Sequence, residues 1–314
     1  MDKSNGRSAL CSLKVLELFA GIGGFAAAFP EGRGRIVGAV EIDREARSVY
    51  EANFPHPVHT AELASVETEW LAEFEANVWW MSPPCTPFSR RGKRRDLDDS
   101  RNRALRHLIE AVAAIRPATV LLENVVGFET SQTMHRLEKK WSGAGYSIAT
   151  RKLCPSEMGW PNLRPRVYLV ACLGTVPGWK PLPDLRTTVP TLLATATEIG
   201  IDERKLLMLD AGIATKYERA ISRVDPADPT AVSACFASSY GRAIVRSGSY
   251  LVESEGVRWF SPEEVGLLMG FLKCWKWPNQ ISTRRRWHLL GNSLSIPAVR
   301  YLLDSVFDCE TGPV

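Results

Sequence analysis

Val15-Leu16-Glu17-Leu18-Phe19-Ala20-Gly21-Ile22-Gly23-Gly24 is an apolar run that stops abruptly in a cluster of small residues. Such a pattern predicts a buried strand through Phe19, a tight turn over the glycines, and a small-residue helix through Ala28. A second apolar run, Ile36 to Ile42, follows. It closes on Glu41-Ile42-Asp43, where Asp43 is placed to cap a helix whose apolar face is Ala46, Val49, Tyr50 and Phe54. Strand, glycine turn, helix, strand and helix in that order open a parallel sheet covered by helices on both faces.

The alternation continues outward. Val78 to Met81 predicts another strand, Leu105, Leu108, Ile109, Val112 and Ile115 recur at helical spacing, and Thr119 to Val125 and Arg166 to Cys172 are strands again. Sheets of this kind bind ligands at the carboxyl ends of their strands, so the functional loops are expected after Phe19, Glu41, Met81 and Val125. From Thr175 the pattern loosens, with Pro177, Pro181, Pro183 and Pro190 close together. One clear helix follows, opened by Ser261-Pro262-Glu263-Glu264 as a capping box and ended by Gly270. This region, 175–277, reads as a smaller second domain. Ile296, Val299, Leu302 and Val306 then share one helical face, which returns the chain to the first domain, formed by 1–174 and 278–314.

Composition narrows the class. The chain has 314 residues, 45% of them apolar, enough for one large or two modest cores. Lysine and arginine number 39 against 35 acids, a net charge of +4 that leans basic without requiring a nucleic-acid partner. The N-terminus has no apolar signal core, and no run approaches the roughly 20 apolar residues of a membrane span, so a cytoplasmic protein is expected. Seven cysteines, an odd number with no C-x-x-C pair, argue against a disulfide framework and against a zinc site. His56 and His59, on either side of Pro57-Val58, are expected to bind no metal.

The glycine turn lets a ligand approach the backbone at Gly21, Gly23 and Gly24, and Glu41 ends the second strand as an acceptor for two ribose hydroxyls. A nicotinamide dinucleotide and S-adenosylmethionine both satisfy that description. The stretch Met81-Ser82-Pro83-Pro84-Cys85-Thr86-Pro87-Phe88-Ser89-Arg90-Arg91 shifts the balance. Pro83 and Pro84 end the strand and hold Cys85 on a stiff turn. A free thiol, with a pKa of about 8.5, needs nearby positive charge to ionise at neutral pH, and Arg90, Arg91, Arg164 and Arg166 can supply it. Glu123, in Leu121-Leu122-Glu123-Asn124-Val125, puts a carboxyl group at a strand end facing the same crevice.

Thiol, acid and methyl donor together suit one reaction. Carbon 5 of cytosine is a poor nucleophile and must be activated by addition at carbon 6, which a thiolate performs. A partly protonated glutamate in a dry pocket makes carbon 6 electrophilic through N3 and reads the edge of the base.

FAGIGG, EID, MSPPCTPFS, LLENVVGF, NLRPRV and GNSLS follow one another in the order and spacing of the cytosine-5 methyltransferases, and nearly the whole chain resembles that family. The resemblance implies an α/β, Rossmann-like class I S-adenosylmethionine-dependent methyltransferase, with a mostly parallel doubly wound sheet and a second, smaller target-recognition domain. By that similarity Cys85 is the nucleophile, Glu123 the N3 partner, and Arg164 with Arg166 the pair that orients the base and the cysteine loop. Phe19, Ala20, Gly21, Ile22, Gly23, Gly24, Glu41, Ile42, Glu62, Leu63, Pro84, Asn292 and Ser293 would line the site of S-adenosylmethionine and its product S-adenosylhomocysteine, with no metal.

Within the family the chain is similar to the group historically called DNA methyltransferase two, which methylates transfer RNA. Asn162 stands where the DNA enzymes usually carry glutamine. Asp96-Leu97-Asp98-Asp99-Ser100-Arg101, Cys235-Phe236 with Tyr240-Gly241, Ser247-Gly248-Ser249 and Arg258-Trp259-Phe260-Ser261 extend the similarity. Ala237 and Ser238 replace the threonine and lysine of that group, and Thr86 replaces its glutamine. The resemblance implies a transfer-RNA substrate, methylated in the anticodon loop at position 38, with DNA as the alternative, and a monomer free of membranes. An unpaired loop base costs less to extrude than a duplex base. Arg90, Arg91, Lys93, Arg94 and Arg95 are candidate phosphate clamps, and a second basic run, Arg284 to Arg286, flanks the same cleft.

Overall fold

The computed structural model describes residues 13–84, 102–196 and 199–307. Seven strands form the central sheet: β1 (Leu13–Leu18), β2 (Gly34–Val40), β3 (Val58–His59), β4 (Val78–Met81), β5 (Thr119–Val125), β6 (Tyr146–Leu153) and β8 (Arg166–Leu173). Their spatial order is β3-β2-β1-β4-β5-β8-β6. Every neighbouring pair is parallel except β5 with β8 and β6 with β8, so β8 alone runs against the rest.

These strands lack an alternation of apolar and polar residues because both faces are covered. Successive side chains still go to opposite faces. Val15, Trp80, Leu121 and Val170 enter one core with Phe25, Val49, Tyr50 and Val299. Leu16, Leu18, Trp79, Met81, Leu122 and Leu169 enter the other with Leu105, Val112, Leu137 and Trp141. The sheet is therefore doubly wound, as the alternation predicts. β6 and the helix Gln132–Gly143 before it carry mixed polar and apolar residues, consistent with an edge position, and the apolar pattern alone does not single them out.

The local signals behave as expected. The Asp43 side chain accepts the amides of Glu45 and Ala46 and starts the helix Arg44–Asn53. Ser261 and Glu264 close a capping box on the helix Pro262–Leu268. An acid lies among the apolar residues of β1: Glu17, fully buried, accepts a hydrogen bond from the Tyr50 hydroxyl at 2.8 Å. Burial pushes its carboxyl up to about 8, against the Tyr50 bond and two backbone amides at the start of the helix Gly24–Ala28.

The later part of the chain adds β9 (Ser222–Val224), β10 (Ser233–Ala234), β11 (Ser249–Glu253) and β12 (Gly256–Trp259). β12, β11 and β9 make a small sheet, and β10 pairs with β7 (Asn162–Leu163), which lies on the chain just before β8. Packing does not break at Thr175. Trp179 stacks on Tyr301, with the Arg151 guanidinium 5.6 Å and 5.4 Å from the two ring centres. A single buried cluster runs from Phe25 and Trp80 through Trp287 to Phe236 and Phe260, joining the sheet to the residues read as a second domain.

Gly291 is where the two parts press together. A β-carbon there would meet the Ala237 carbonyl carbon and the Ser238 nitrogen, both at 2.3 Å. Those are backbone atoms that no rotamer change can move. Gly291→Ala is expected to lower the unfolding free energy by about 1–3 kcal/mol, the usual cost of overpacking, whereas Gly143→Ala is expected to change it little. Gly143 is exposed and has nothing within 4 Å of its added carbon. Paired denaturant titrations test the contrast, and equal midpoints for the two variants would contradict it.

Candidate active site

Three neighbouring strand ends build the site. Leu18 of β1 pairs with Met81 of β4, and Met81 pairs with Leu122 of β5, so Phe19, Ser82 and Glu123 follow side by side. Ser82 donates from its hydroxyl to the Phe19 carbonyl at 3.1 Å, and the Asn124 side-chain amide donates to the Pro83 carbonyl at 3.2 Å. Pro84 is exposed at the end of this braced turn. Cys85, Thr86, the basic run Arg90, Arg91, Lys93, Arg94 and Arg95, and Asp96 to Arg101 lie outside the described residues.

Glu123 is 8% exposed. Its Oε1 lies 3.0 Å from Arg166 Nε. Both residues are on one face of the antiparallel β5–β8 pair, where Val125 is opposite Arg166 and Glu123 is opposite Tyr168. Burial raises the Glu123 carboxyl, Arg166 and then Arg164 pull it back, and the net position is above the ordinary carboxylate range. A carboxyl so placed can hold a proton and release it to a ring nitrogen.

The two arginines of Asn162-Leu163-Arg164-Pro165-Arg166 do different work. Arg166 faces Glu123. Arg164, 3% exposed, donates to the carbonyls of Phe236 at 2.9 Å and Gly291 at 3.1 Å, and also to that of Ser293. These contacts brace the walls of the cleft; the resemblance pairs Arg164 with Arg166 to orient the base and the cysteine loop. Asn162 is buried as well, and its amide donates to Ser233 Oγ at 2.9 Å, so it holds β7 against β10.

This brings in a thiol that sequence reasoning treated only as part of a signature. Cys235 Sγ lies 3.4 Å from Arg164 Nη1 and 3.9 Å from Arg166 Nη2. Burial pushes this thiol up, but the two guanidiniums outweigh it and leave it below the ordinary thiol value. Asn124 was missed too; its adjacency to Glu123 was the available signal.

On the other side of β1 lies the glycine turn. Phe19 takes a left-handed φ of 58° and Gly21 one of 56°. Glycine adopts that conformation freely, whereas at Phe19 it is strained. Nothing lies within 4 Å of a β-carbon built on Gly21, so its face is open. The Gly21 amide donates to Glu41 Oε2 at 2.7 Å and the Asp43 amide to Glu41 Oε1 at 2.7 Å. Burial raises the Glu41 carboxyl despite these two amides. Ile42 beside it is 57% exposed, an aliphatic surface at the rim of the cleft. Gly24 closes the turn on the C-terminal segment, since a β-carbon there would meet Ser293 Oγ at 2.9 Å.

Other expected lining residues contribute less directly. Ala20, Ile22, Gly23 and Gly24 are buried, as is the Leu63 side chain, which packs into the second core. Glu62 Oε1 accepts the Ala64 amide at 3.2 Å. Asn292 is exposed at the end of the helix Thr283–Gly291. The run Arg284 to Arg286 is divided. Only Arg284 is exposed; Arg285 pairs with Asp43 and Glu45, and Arg286 lies 5.7 Å from the Trp277 ring centre.

An open glycine turn, a carboxylate held by paired amides, and a braced proline turn beside a buried acid suit a nucleoside-type cofactor next to a base. A family model described as C-5 cytosine-specific DNA methylase matches residues 13–199, and the chain belongs to that family and is a methyltransferase. That membership implies use of S-adenosylmethionine, and the open face of Gly21 with the oriented Glu41 fits its nucleoside. The chain is 27% identical to the tRNA (cytosine(38)-C(5))-methyltransferase of Homo sapiens, over 94% of this chain and 99% of that protein. The solved structure of S. pombe Dnmt2 methyltransferase superposes with a TM-score of 0.80 at 26% identity, covering 93% of this chain and 97% of that one. The Entamoeba histolytica methyltransferase EhMeth shares the fold, with a TM-score of 0.84, 22% identity and coverage of 95% and 98%. Among the described residues no helix is long and apolar enough to cross a membrane.

Proposed function

We propose that the protein methylates carbon 5 of an anticodon-loop cytosine in a transfer RNA, position 38 as in the names of its relatives, through a transient bond to Cys85 Sγ. The observation that carries the chemistry is the buried Glu123, held 3.0 Å from Arg166 beside the braced Pro83–Pro84 turn. The relatives' names carry the choice of RNA.

The thiolate of Cys85 adds to carbon 6 while Glu123 lends its proton to N3, so the ring electrons collect at carbon 5. S-adenosylmethionine supplies the methyl group; Gly21, Glu41, Ile42, Asn292 and Ser293 are the residues that would hold it. Loss of the carbon 5 proton to a base then expels the thiolate, and N3 returns its proton to Glu123, which restores both the ring and the acid. Arg166 keeps Glu123 in place, and Arg164 keeps the loop at Cys235–Phe236 and the Gly291–Ser293 segment at fixed separation across the cleft. The region 175–277 supplies target recognition, and the basic run Arg90 to Arg95 engages phosphates.

A DNA substrate is the second reading, favoured by the description of the family as DNA methylases. Labelled methyl donor offered with transfer RNA or with duplex DNA separates the two. Methylation confined to DNA overturns the RNA reading, and label in neither polymer overturns both.

A further inference from the structure

We infer that Arg285 is a positioning residue for cofactor recognition: from the far end of the chain it holds Asp43, and through Asp43 it fixes the carboxylate of Glu41 against the ribose. The inference rests on the proposed role of Glu41 as ribose acceptor. Arg285 Nη2 donates to Asp43 Oδ2, and its Nε lies 2.6 Å from Glu45 Oε2. Asp43 is committed on its other side as well, with Oδ1 accepting the Glu45 and Ala46 amides, both at 3.0 Å. Guanidinium and amides together outweigh burial and hold its carboxyl below the ordinary aspartate value. Asp43 is thus a stiff pivot, and its own amide donates to Glu41 Oε1 at 2.7 Å.

Glu41 receives a second amide, from Gly21, on its other oxygen. A carboxylate has about four acceptor positions, so these amides leave capacity to accept from a diol. The direction of that capacity depends on where the Asp43 amide sits. Arg285 belongs to the helix that ends at Asn292, so the same rigid rod that anchors the pivot also presents the other wall of the cleft. Arg284 and Arg286, its neighbours, touch neither acid among the described contacts, which makes position 285 the specific one in the basic run.

An ordinary surface ion pair, with Arg285 24% exposed, would contribute only to stability and would treat all ligands alike. Binding of S-adenosylhomocysteine and of its 2′-deoxyribose analogue, measured by calorimetry on the full-length protein, distinguishes the two roles. Wild type is expected to prefer the ribose form. In Arg285→Ala that affinity should fall about 5–10-fold while the deoxy form changes less than about 2-fold, as expected when a partner that orients a ligand-binding carboxylate is lost. Arg285→Lys should keep most of the preference. Asp43→Asn, which retains the helix cap, should narrow it in the same way, and adding Arg285→Ala to it should narrow the preference no further, because on Glu41 both act through the Arg285–Asp43 contact. Equal weakening of both ligands, or an unchanged preference in Arg285→Ala, overturns the inference and leaves the role of Glu41 standing. A wild type without preference removes the Glu41 reading, and this inference with it. Loss of preference in Glu41→Gln supports the reading on which the inference is built.

Discussion

Replacing Cys85 with serine is expected to slow methyl transfer by at least about 10,000-fold, the scale on which removal of a catalytic nucleophile acts, and to abolish the covalent adduct with RNA carrying 5-fluorocytosine. Serine keeps the size of the side chain, but its hydroxyl ionises far above neutral pH. In wild type the fluorine replaces the proton that must leave carbon 5, so the C–S bond formed at carbon 6 cannot be undone and the complex survives denaturation. The turn that leads to Cys85 is braced: Asn124 fixes the Pro83 carbonyl and Ser82 ties the turn to Phe19. Denaturing gel electrophoresis of labelled RNA reads the result. An adduct that persists in the serine variant, or none in wild type, ends the covalent mechanism.

Glu123→Gln is the second large effect, a loss of about 100-fold or more in the single-turnover rate with S-adenosylhomocysteine affinity preserved. The amide oxygen can still accept from Arg166, and the amide nitrogen can still donate a hydrogen bond, but neither can hand over a proton. A pH profile sharpens the test. The protonated form of Glu123 is present below its pKa and lost as pH rises through it, and burial moves that point above the ordinary carboxyl range. Wild-type rates should therefore carry a limb that declines with rising pH, on top of the rise from thiol ionisation. The glutamine variant should lack the declining limb. Equal rates, or the same declining limb in both proteins, would remove Glu123 from proton transfer.

Much of the local structure around the site is legible in the sequence. Gly21 at positive φ, Asp43 as a helix cap, Ser261 with Glu264 as a capping box and the proline-stiffened turn before Cys85 all follow from constraints that act within a few residues along the chain. Glu17 shows the limit. An acid in a buried strand is visible in the sequence, but its neutralising partner, Tyr50, is 33 residues away and becomes a partner only when the helix Arg44–Asn53 lies over β1. The reversed direction of β8 was equally hidden, since an apolar strand reads the same in either direction.

Local physics in the sequence determined the glycine turn, the strand ends and the types of side chain that carry the reaction, because backbone sterics, caps and proline rings act over one or two turns of chain. Only the tertiary structure decided that Arg166 serves Glu123 while Arg164 braces Phe236, Gly291 and Ser293, and that Arg285 reaches Asp43 across 242 positions. Adjacent arginines carry no mark of which neighbour they will meet. Strand register and the close approach at Gly291 choose it, and both exist only once the distant segments have packed.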